Sequence, residues 1–251
     1  MRHVKLIVSY DGTDYSGSQR QRNARTVQEV LEKALREILK EKVRLLFAGR
    51  TDAGVHAVGQ VVGFRTARTL PLLGLHRGLN AILPKDVVVR SVTEAPSDFH
   101  PRFNASLKAY RYTIWNHPIP TPFLRNYALH VPWPLDLAAM RSAARLLVGR
   151  HNFKSFQASD KKKRASVRTL KRLSIHRRGP LVQMTFQANG FVYHMVRNIV
   201  GTLLEVGKGR RPPEEILQLL SKKDRRLAGP TAPAKGLCLV KVDYPEIRRQ
   251  P

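Results

Sequence analysis

Residues Thr26-Val27-Gln28-Glu29-Val30-Leu31-Glu32-Lys33-Ala34-Leu35-Arg36-Glu37-Ile38-Leu39 read as an amphipathic helix. Thr26 stands three residues before Glu29, the spacing of a capping box in which a threonine hydroxyl takes an orphan backbone N–H of the first turn. Val27, Val30, Leu31, Ala34, Leu35, Ile38 and Leu39 then recur every three or four residues and form one apolar face. Upstream, Val4, Leu6, Val8 and Tyr10 alternate with Lys5, Ile7 and Ser9, a strand pattern that ends in turn chemistry at Asp11-Gly12-Thr13. Downstream, a loop around Phe47 to Gly54 leads into a β-rich run ending near Phe64. Leu79 to Arg90 reads as the end of a helix, a turn at Pro84 and a further strand. The first part of the chain is therefore a strand-helix-strand unit.

The second part repeats that alternation without a recognisable sequence repeat. Thr93 to Asn104 is polar and contains proline, as a crossing between two lobes would be. Leu107 to Trp115 is strand-like and aromatic; a helix is expected from near Asp136 to a stop at Gly149. Val167 to Ile175 and Val182 to Ala188 read as strands joined at Arg178-Gly179-Pro180, and Phe191 to Val206 as a helix. Pro212-Pro213 opens a short last helix, and Gly236 to Tyr244 closes the chain as a strand. The expected fold class is α+β. Two lobes, 1–104 and 105–251, would share a largely antiparallel sheet with helices packed on it and an active-site cleft between them.

Hydrophobic residues make up 42% of the 251, which argues against a disordered chain. Forty-five Lys and Arg stand against 18 Asp and Glu, a formal charge of +27. A compact protein repels itself at that charge unless a polyanion neutralises it, and nucleic acid does so while releasing condensed counterions. Cys238 is the single cysteine, so neither an intrachain disulfide nor a thiolate metal cage can form from it alone. No apolar run reaches the length of a membrane span, and Met1 to Tyr10 lacks the layout of a signal peptide. A reducing, cytoplasmic location is the default expectation.

The chemically informative stretch is Phe47-Ala48-Gly49-Arg50-Thr51-Asp52-Ala53-Gly54-Val55-His56-Ala57-Val58-Gly59-Gln60-Val61. Gly49 and Gly54 bracket an acid beside an arginine and permit a tight loop close to a ligand. In a chain so basic, that carboxylate would repel phosphate. It either pairs with a base for structure or acts on the substrate, and composition alone leaves both open. His56 and His100 stand near Asp52, Asp11 and Asp14 in no standard metal-ligand spacing, and read as structural or RNA-contacting histidines.

Gly49-Arg50-Thr51-Asp52-Ala53-Gly54-Val55-His56-Ala57, followed by Gly59-Gln60-Val61, closely resembles the signature of the tRNA pseudouridine synthase A family. The likeness extends through Tyr10-Asp11-Gly12-Thr13 with Ser16-Gly17 and Gln19, then Phe99-His100-Pro101-Arg102-Phe103 and Lys108-Ala109-Tyr110-Arg111-Tyr112. It continues through Phe191 to Gly201 and Ala234-Lys235-Gly236-Leu237, in order and over nearly the whole chain. The resemblance implies that Asp52 is the catalytic aspartate, Tyr110 the tyrosine that stacks on the target uracil, Arg197 the arginine that pairs with the aspartate, and Arg50 the motif arginine near the flipped-out nucleotide. It further implies no metal and no organic cofactor, a homodimer across which one tRNA lies, and uridines 38 to 40 of the anticodon arm as targets.

That chemistry suits these residue types. Isomerisation breaks the C1′–N1 bond, turns the uracil and rejoins it through C5, without redox change or hydrolysis. A carboxylate can attack C1′ or C6, or remove the 2′ proton, and sequence does not choose among these. An adjacent cation such as Arg197 favours the ionised form, and an aromatic ring can replace the stacking an extruded base loses. Judged by spacing alone, Arg197 could equally face solvent, and Tyr110, alternating with Tyr112 and Ile114, could be a core aromatic. Tyr193, Arg197 and Gly201 stand four apart, beside the apolar stripe of the expected helix. Nine cations between Lys161 and Arg178 are expected to grip RNA backbone, with Arg20, Arg22, Arg25 and the Lys222–Arg226 segment extending the footprint.

Overall fold

Val4, Leu6, Val8 and Tyr10 are buried along a strand whose intervening residues are half-buried, so the alternation in the sequence is the alternation of the pleat. The computed structural model describes residues 1–159 and 165–245. In chain order the strands and helices are β1 (Arg2–Tyr10), α1 (Val27–Leu39), β2 (Leu46–Phe47), β3 (His56–Thr66), α2 (Leu72–Ile82), β4 (Val87–Ala95), β5 (Leu107–Asn116) and β6 (Leu129–Val131). They continue with α3 (Leu137–Leu146), β7 (Gly149–Asn152), β8 (Val167–Arg178), β9 (Leu181–Ala188), α4 (Met195–Gly207), α5 (Glu215–Lys222) and β10 (Leu237–Asp243). The chain divides into two units, Met1–Ser106 with the segment from Cys238 onward, and Leu107–Leu237. The closing strand thus falls almost wholly with the first unit, although its sequence follows the second.

In the first unit β1 lies between β3 and β4, antiparallel to both. β10 runs parallel to the start of β3, pairing Cys238 with His56, while β2 lies antiparallel near its other end. The Thr26 hydroxyl accepts the Glu29 N–H at 3.3 Å and starts α1 where the capping box places it. Val27, Leu31, Ala34, Leu35 and Leu39 are buried on one face. α2 lies against β4 and α1, and is complete from Leu72 rather than only a helix end. Thr93 and Glu94, expected in a crossing, instead continue β4 beside β1.

The second unit is built on β5-β9-β8-β7, antiparallel throughout, with β6 parallel to the end of β5. The β8–β9 connection turns at Gly179, whose φ of +57° suits glycine. Asp136 caps α3 by accepting the N–H groups of Ala138 and Ala139, and α3 ends at Leu146, before the expected stop. α4 starts at Met195, not Phe191. His194 adopts a left-handed φ of +59° directly before it, so Phe191, Val192 and Tyr193 fit the helical period without being helical. Tyr193 therefore leaves the four-residue row with Arg197 and Gly201. Both units are α+β with largely antiparallel sheets. Among the described residues no helix is long and apolar enough to cross a membrane.

Candidate active site

Asp52 lies in the loop between β2 and β3, and the loop is held from both sides by residues 10–18. On one side Ser18 and Thr51 exchange two hydrogen bonds: Thr51 N–H donates to Ser18 Oγ at 2.9 Å, and Ser18 N–H to the Thr51 carbonyl at 3.1 Å. The hydroxyls of Thr51 and Tyr10 are 2.8 Å apart. Gln60 Nε2 donates to Tyr10 Oη at 3.3 Å and to the Gly49 carbonyl at 2.9 Å. Ser18, Tyr10, Thr51 and Gln60 are all buried, and that burial pushes the Tyr10 hydroxyl up to about 12, keeping it a neutral partner at ordinary pH.

On the other side Gly54 N–H donates to the Tyr15 carbonyl at 3.2 Å, and Gly12 N–H to Nδ1 of the buried His56 at 3.0 Å. The Asp52 carbonyl accepts the Val55 N–H at 3.1 Å, closing a turn in which Gly54 takes a φ of +74°. Two further glycines make the clamp possible. A Cβ at Gly12 would overlap the Val55 carbonyl, and one at Gly17, whose φ is +98°, would lie 2.7 Å from the Thr51 oxygen. Asp52 itself is half-buried and Arg50 exposed. The acid is fixed by its backbone without being sealed under apolar packing, which leaves its carboxyl able to meet a substrate.

Behind the clamp, Tyr15 donates its hydroxyl to Asp86 at 2.7 Å, and Arg25 Nη2 reaches both groups at 3.0 Å. Arg25 is thus engaged with Asp86 and lies 4.5 Å over the Tyr15 ring, a structural use that sequence charge did not reveal.

The second unit carries the other two candidates. Tyr110 is buried on β5 and meets Phe191 edge to face, with ring centroids 5.0 Å apart. Arg197 is half-buried on α4, and its Nε donates to the Ala232 carbonyl at 2.7 Å. The row of Arg197 and Gly201 is covered by residues 228–233 rather than left open. Two residues on from Tyr110 in β5, Tyr112 anchors the same segment by donating to the Pro233 carbonyl at 2.8 Å. Burial raises the Tyr112 hydroxyl pKa while nearby Arg197 opposes the rise.

The remaining sequence candidates divide. His100 Nδ1 accepts the N–H groups of Arg102 and Phe103, a structural use. Among the described residues no group of three His, Cys, Asp or Glu is placed to hold a metal. Lys171, Arg172, Arg177 and Arg178 are exposed on β8, whereas Lys161, Lys162, Lys163 and Arg164 lie outside the described residues. In the Lys222–Arg226 segment, Arg226 pairs with Asp224 at 2.6 Å and Arg225 turns inward. Sequence reading gave no role to Ser18 or Thr51. Their only signal was position, beside Gly17 and Asp52.

The chain is similar to proteins of one family over nearly its whole length. A family described as tRNA pseudouridine synthase matches residues 6–104 and 143–245. Proteins named tRNA pseudouridine synthase A from Thermoanaerobacter sp. (strain X514) and Geobacillus kaustophilus (strain HTA426) are 44% and 48% identical over 244 residues. The alignments cover 97% of this chain in both cases, and 100% and 95% of those proteins. Among solved structures, one of a Cbf5-Nop10-Gar1 complex aligns at a TM-score of 0.36 and 14% identity, over 80% of this chain and 45% of that one. The chain belongs to the tRNA pseudouridine synthase family, isomerases that act on uridine in tRNA.

Proposed function

We propose that this enzyme converts uridines 38 to 40 of the tRNA anticodon arm to pseudouridine, with Asp52 as the catalytic carboxylate. The observation that carries the reading is the clamp on both sides of Asp52, a costly set of buried hydrogen bonds and glycine contacts around one half-buried acid. In the reaction the C1′–N1 bond breaks, N1 gains a proton, C1′ bonds to C5, and C5 gives up its proton. Electrons balance within the nucleoside, so the residues need supply only a nucleophile or base and proton transfer. Tyr110 stacks on the target uracil, Arg197 serves as the guanidinium partner of the carboxylate, and Arg50 contacts the flipped nucleotide. The net charge of +27 supplies affinity for the tRNA backbone, and the enzyme works in the cytoplasm as a homodimer on one tRNA.

The test is Asp52→Asn, assayed on an unmodified tRNA transcript with pseudouridine mapped site by site. The isosteric amide keeps the loop but removes the nucleophile or base, so turnover falls by at least about a thousandfold while tRNA affinity is retained. Product at a rate near that of the parent enzyme would overturn the assignment of Asp52. Product at other tRNA sites would overturn the assignment of positions 38 to 40.

A further inference from the structure

Residues 228–233 form a strap across one face of α4. The Ala232 peptide groups bracket Arg197: its backbone N–H donates to the Arg197 carbonyl at 3.1 Å, and its own carbonyl accepts the Arg197 Nε at 2.7 Å. One turn on, the strap crosses Gly201, where any Cβ would overlap the Pro230 carbonyl oxygen. Beside it, Thr202 Oγ1 accepts the Gly229 N–H at 3.0 Å and donates to the Asn198 carbonyl at 2.8 Å.

What fastens the strap is a half-buried polar knot around one buried side chain. Asn198, fully buried on α4, accepts at Oδ1 from Thr231 Oγ1 at 2.6 Å and from Arg225 Nη2 at 3.0 Å. Its Nδ2 donates to the Phe156 carbonyl at 2.8 Å. Arg225 Nη2 also reaches Thr231 Oγ1 at 3.1 Å, and Nη1 donates to the Ala228 carbonyl at 3.2 Å. One planar guanidinium thereby ties the strap at Ala228 and Thr231 to Asn198 of the helix at fixed angles, a geometry that the single ammonium of lysine does not reproduce. Burial lowers the Arg225 pKa, the mark of a cation taken partly out of water.

We propose that Arg225, with Asn198 and Thr231, is a positioning device for the known reaction: it locks the 228–233 strap so that the Ala232 carbonyl aims the Arg197 guanidinium. This rests on the reading of Arg197 as a participant in the chemistry. It also reassigns Arg225, one of five residues in a strongly charged segment, from gripping RNA to holding the strap.

The two roles of Arg225 separate kinetically. Arg225→Met, assayed on the tRNA transcript, lowers kcat by about 10- to 100-fold with KM unchanged, because a misaimed group near the chemistry costs turnover rather than binding. Arg225→Lys falls between, since it keeps the charge but loses the fork. A phosphate-gripping arginine gives the opposite pattern: a raised KM, a shallower salt dependence of tRNA binding, unchanged kcat, and full rescue by lysine. That pattern would overturn the proposal. A second readout needs no turnover. The Arg197 Nε–H resonance, assigned by its loss in Arg197→Lys, is protected from solvent exchange in the parent enzyme and loses protection in Arg225→Met. Retained protection would equally overturn it. Should Arg225→Met fail to fold, Thr231→Val removes only the hydroxyl of the knot and shows the same kcat-only loss on a smaller scale. Unchanged kcat in that variant would count against the device. Full activity in Arg197→Met would sink the functional reading of Arg197 instead, while the exchange measurement would still decide whether Arg225 holds its side chain.

Discussion

Two irregular segments hold the two charged groups, and they do so by different means. In the first unit a loop carries Asp52, and residues 10–18, the end of β1 and the loop after it, grip that loop. In the second unit a helix carries Arg197 and the 228–233 strap grips that. Loop on loop leaves backbone groups on both sides available, so the pair exchanges main-chain hydrogen bonds directly, from Ser18 to Thr51 and from Gly54 to Tyr15. A helix interior has already used its N–H and C=O groups. The strap therefore reaches α4 mostly through side chains, Asn198, Thr202 and Arg197, with the second lone pair of the Arg197 carbonyl as the main-chain exception. In the first support the hydrogen bonds to the Asp52 loop itself come from main-chain groups, hydroxyls, an amide and an imidazole, with the Arg25 guanidinium behind them; in the second a guanidinium joins the strap to α4 directly.

Both supports also depend on glycine where backbone meets backbone, and the comparison can be broken most severely there. Gly201→Ala would drive a methyl group into the Pro230 carbonyl, with helix on one side and knotted strap on the other. Neither partner yields cheaply, so the variant is expected to lose about 3 kcal/mol or more. For a chain of this size that is roughly a 6–12 °C drop in Tm. Thermal unfolding checks it, with unchanged Tm showing that the strap is loosely held.

Gly12→Ala tests the corresponding contact in the first unit, where the added methyl meets the Val55 carbonyl. Two loops can give more than a helix can, so a smaller stability loss of about 1–2 kcal/mol is expected. The displaced loop is the one that carries Asp52, and kcat falls by about 10- to 100-fold. A variant with a large Tm loss and normal kcat would show that the clamp serves folding alone.

The same contrast separates what the sequence discloses from what it hides. β1, α1 and the β8–β9 turn follow from periods of two and 3.6, a Thr-Glu cap and a glycine, all of them local. The Asp52 loop stood out because glycines flank an acid in a basic chain, but only the resemblance of Gly49 to Ala57 to a family signature separated a catalytic acid from a structural one. The beginning of α4 was not, because Phe191 to His194 continue the apolar period and only the left-handed backbone at His194 breaks it. The strap was hidden for a stronger reason. Gly229, Pro230 and Pro233 read locally as loop, and Arg225 is indistinguishable in sequence from its charged neighbours. Its partners lie 27 residues upstream at Asn198 and six downstream at Thr231. The pairing of β10 with β3 is hidden likewise, since it joins Cys238 and Leu239 to His56 and Ala57, far away in sequence.

The mildest test asks whether hydrogen bonds or close packing carry the clamp on Asp52. Tyr10→Phe removes one buried hydroxyl and nothing else, leaving Thr51 Oγ1 without its 2.8 Å partner. Gln60 Nε2 loses its 3.3 Å contact but keeps the 2.9 Å bond to the Gly49 carbonyl. The expected cost is about 1 kcal/mol, roughly 2–4 °C in Tm. Because Ser18 and the two glycine contacts still hold the Thr51 and Val55 backbone, kcat should stay close to the parent value. A loss of turnover as large as that of Gly12→Ala would reverse the order of importance. The hydroxyl chain from Gln60 through Tyr10 to Thr51 would then set the position of the acid, with the glycines merely making room for it.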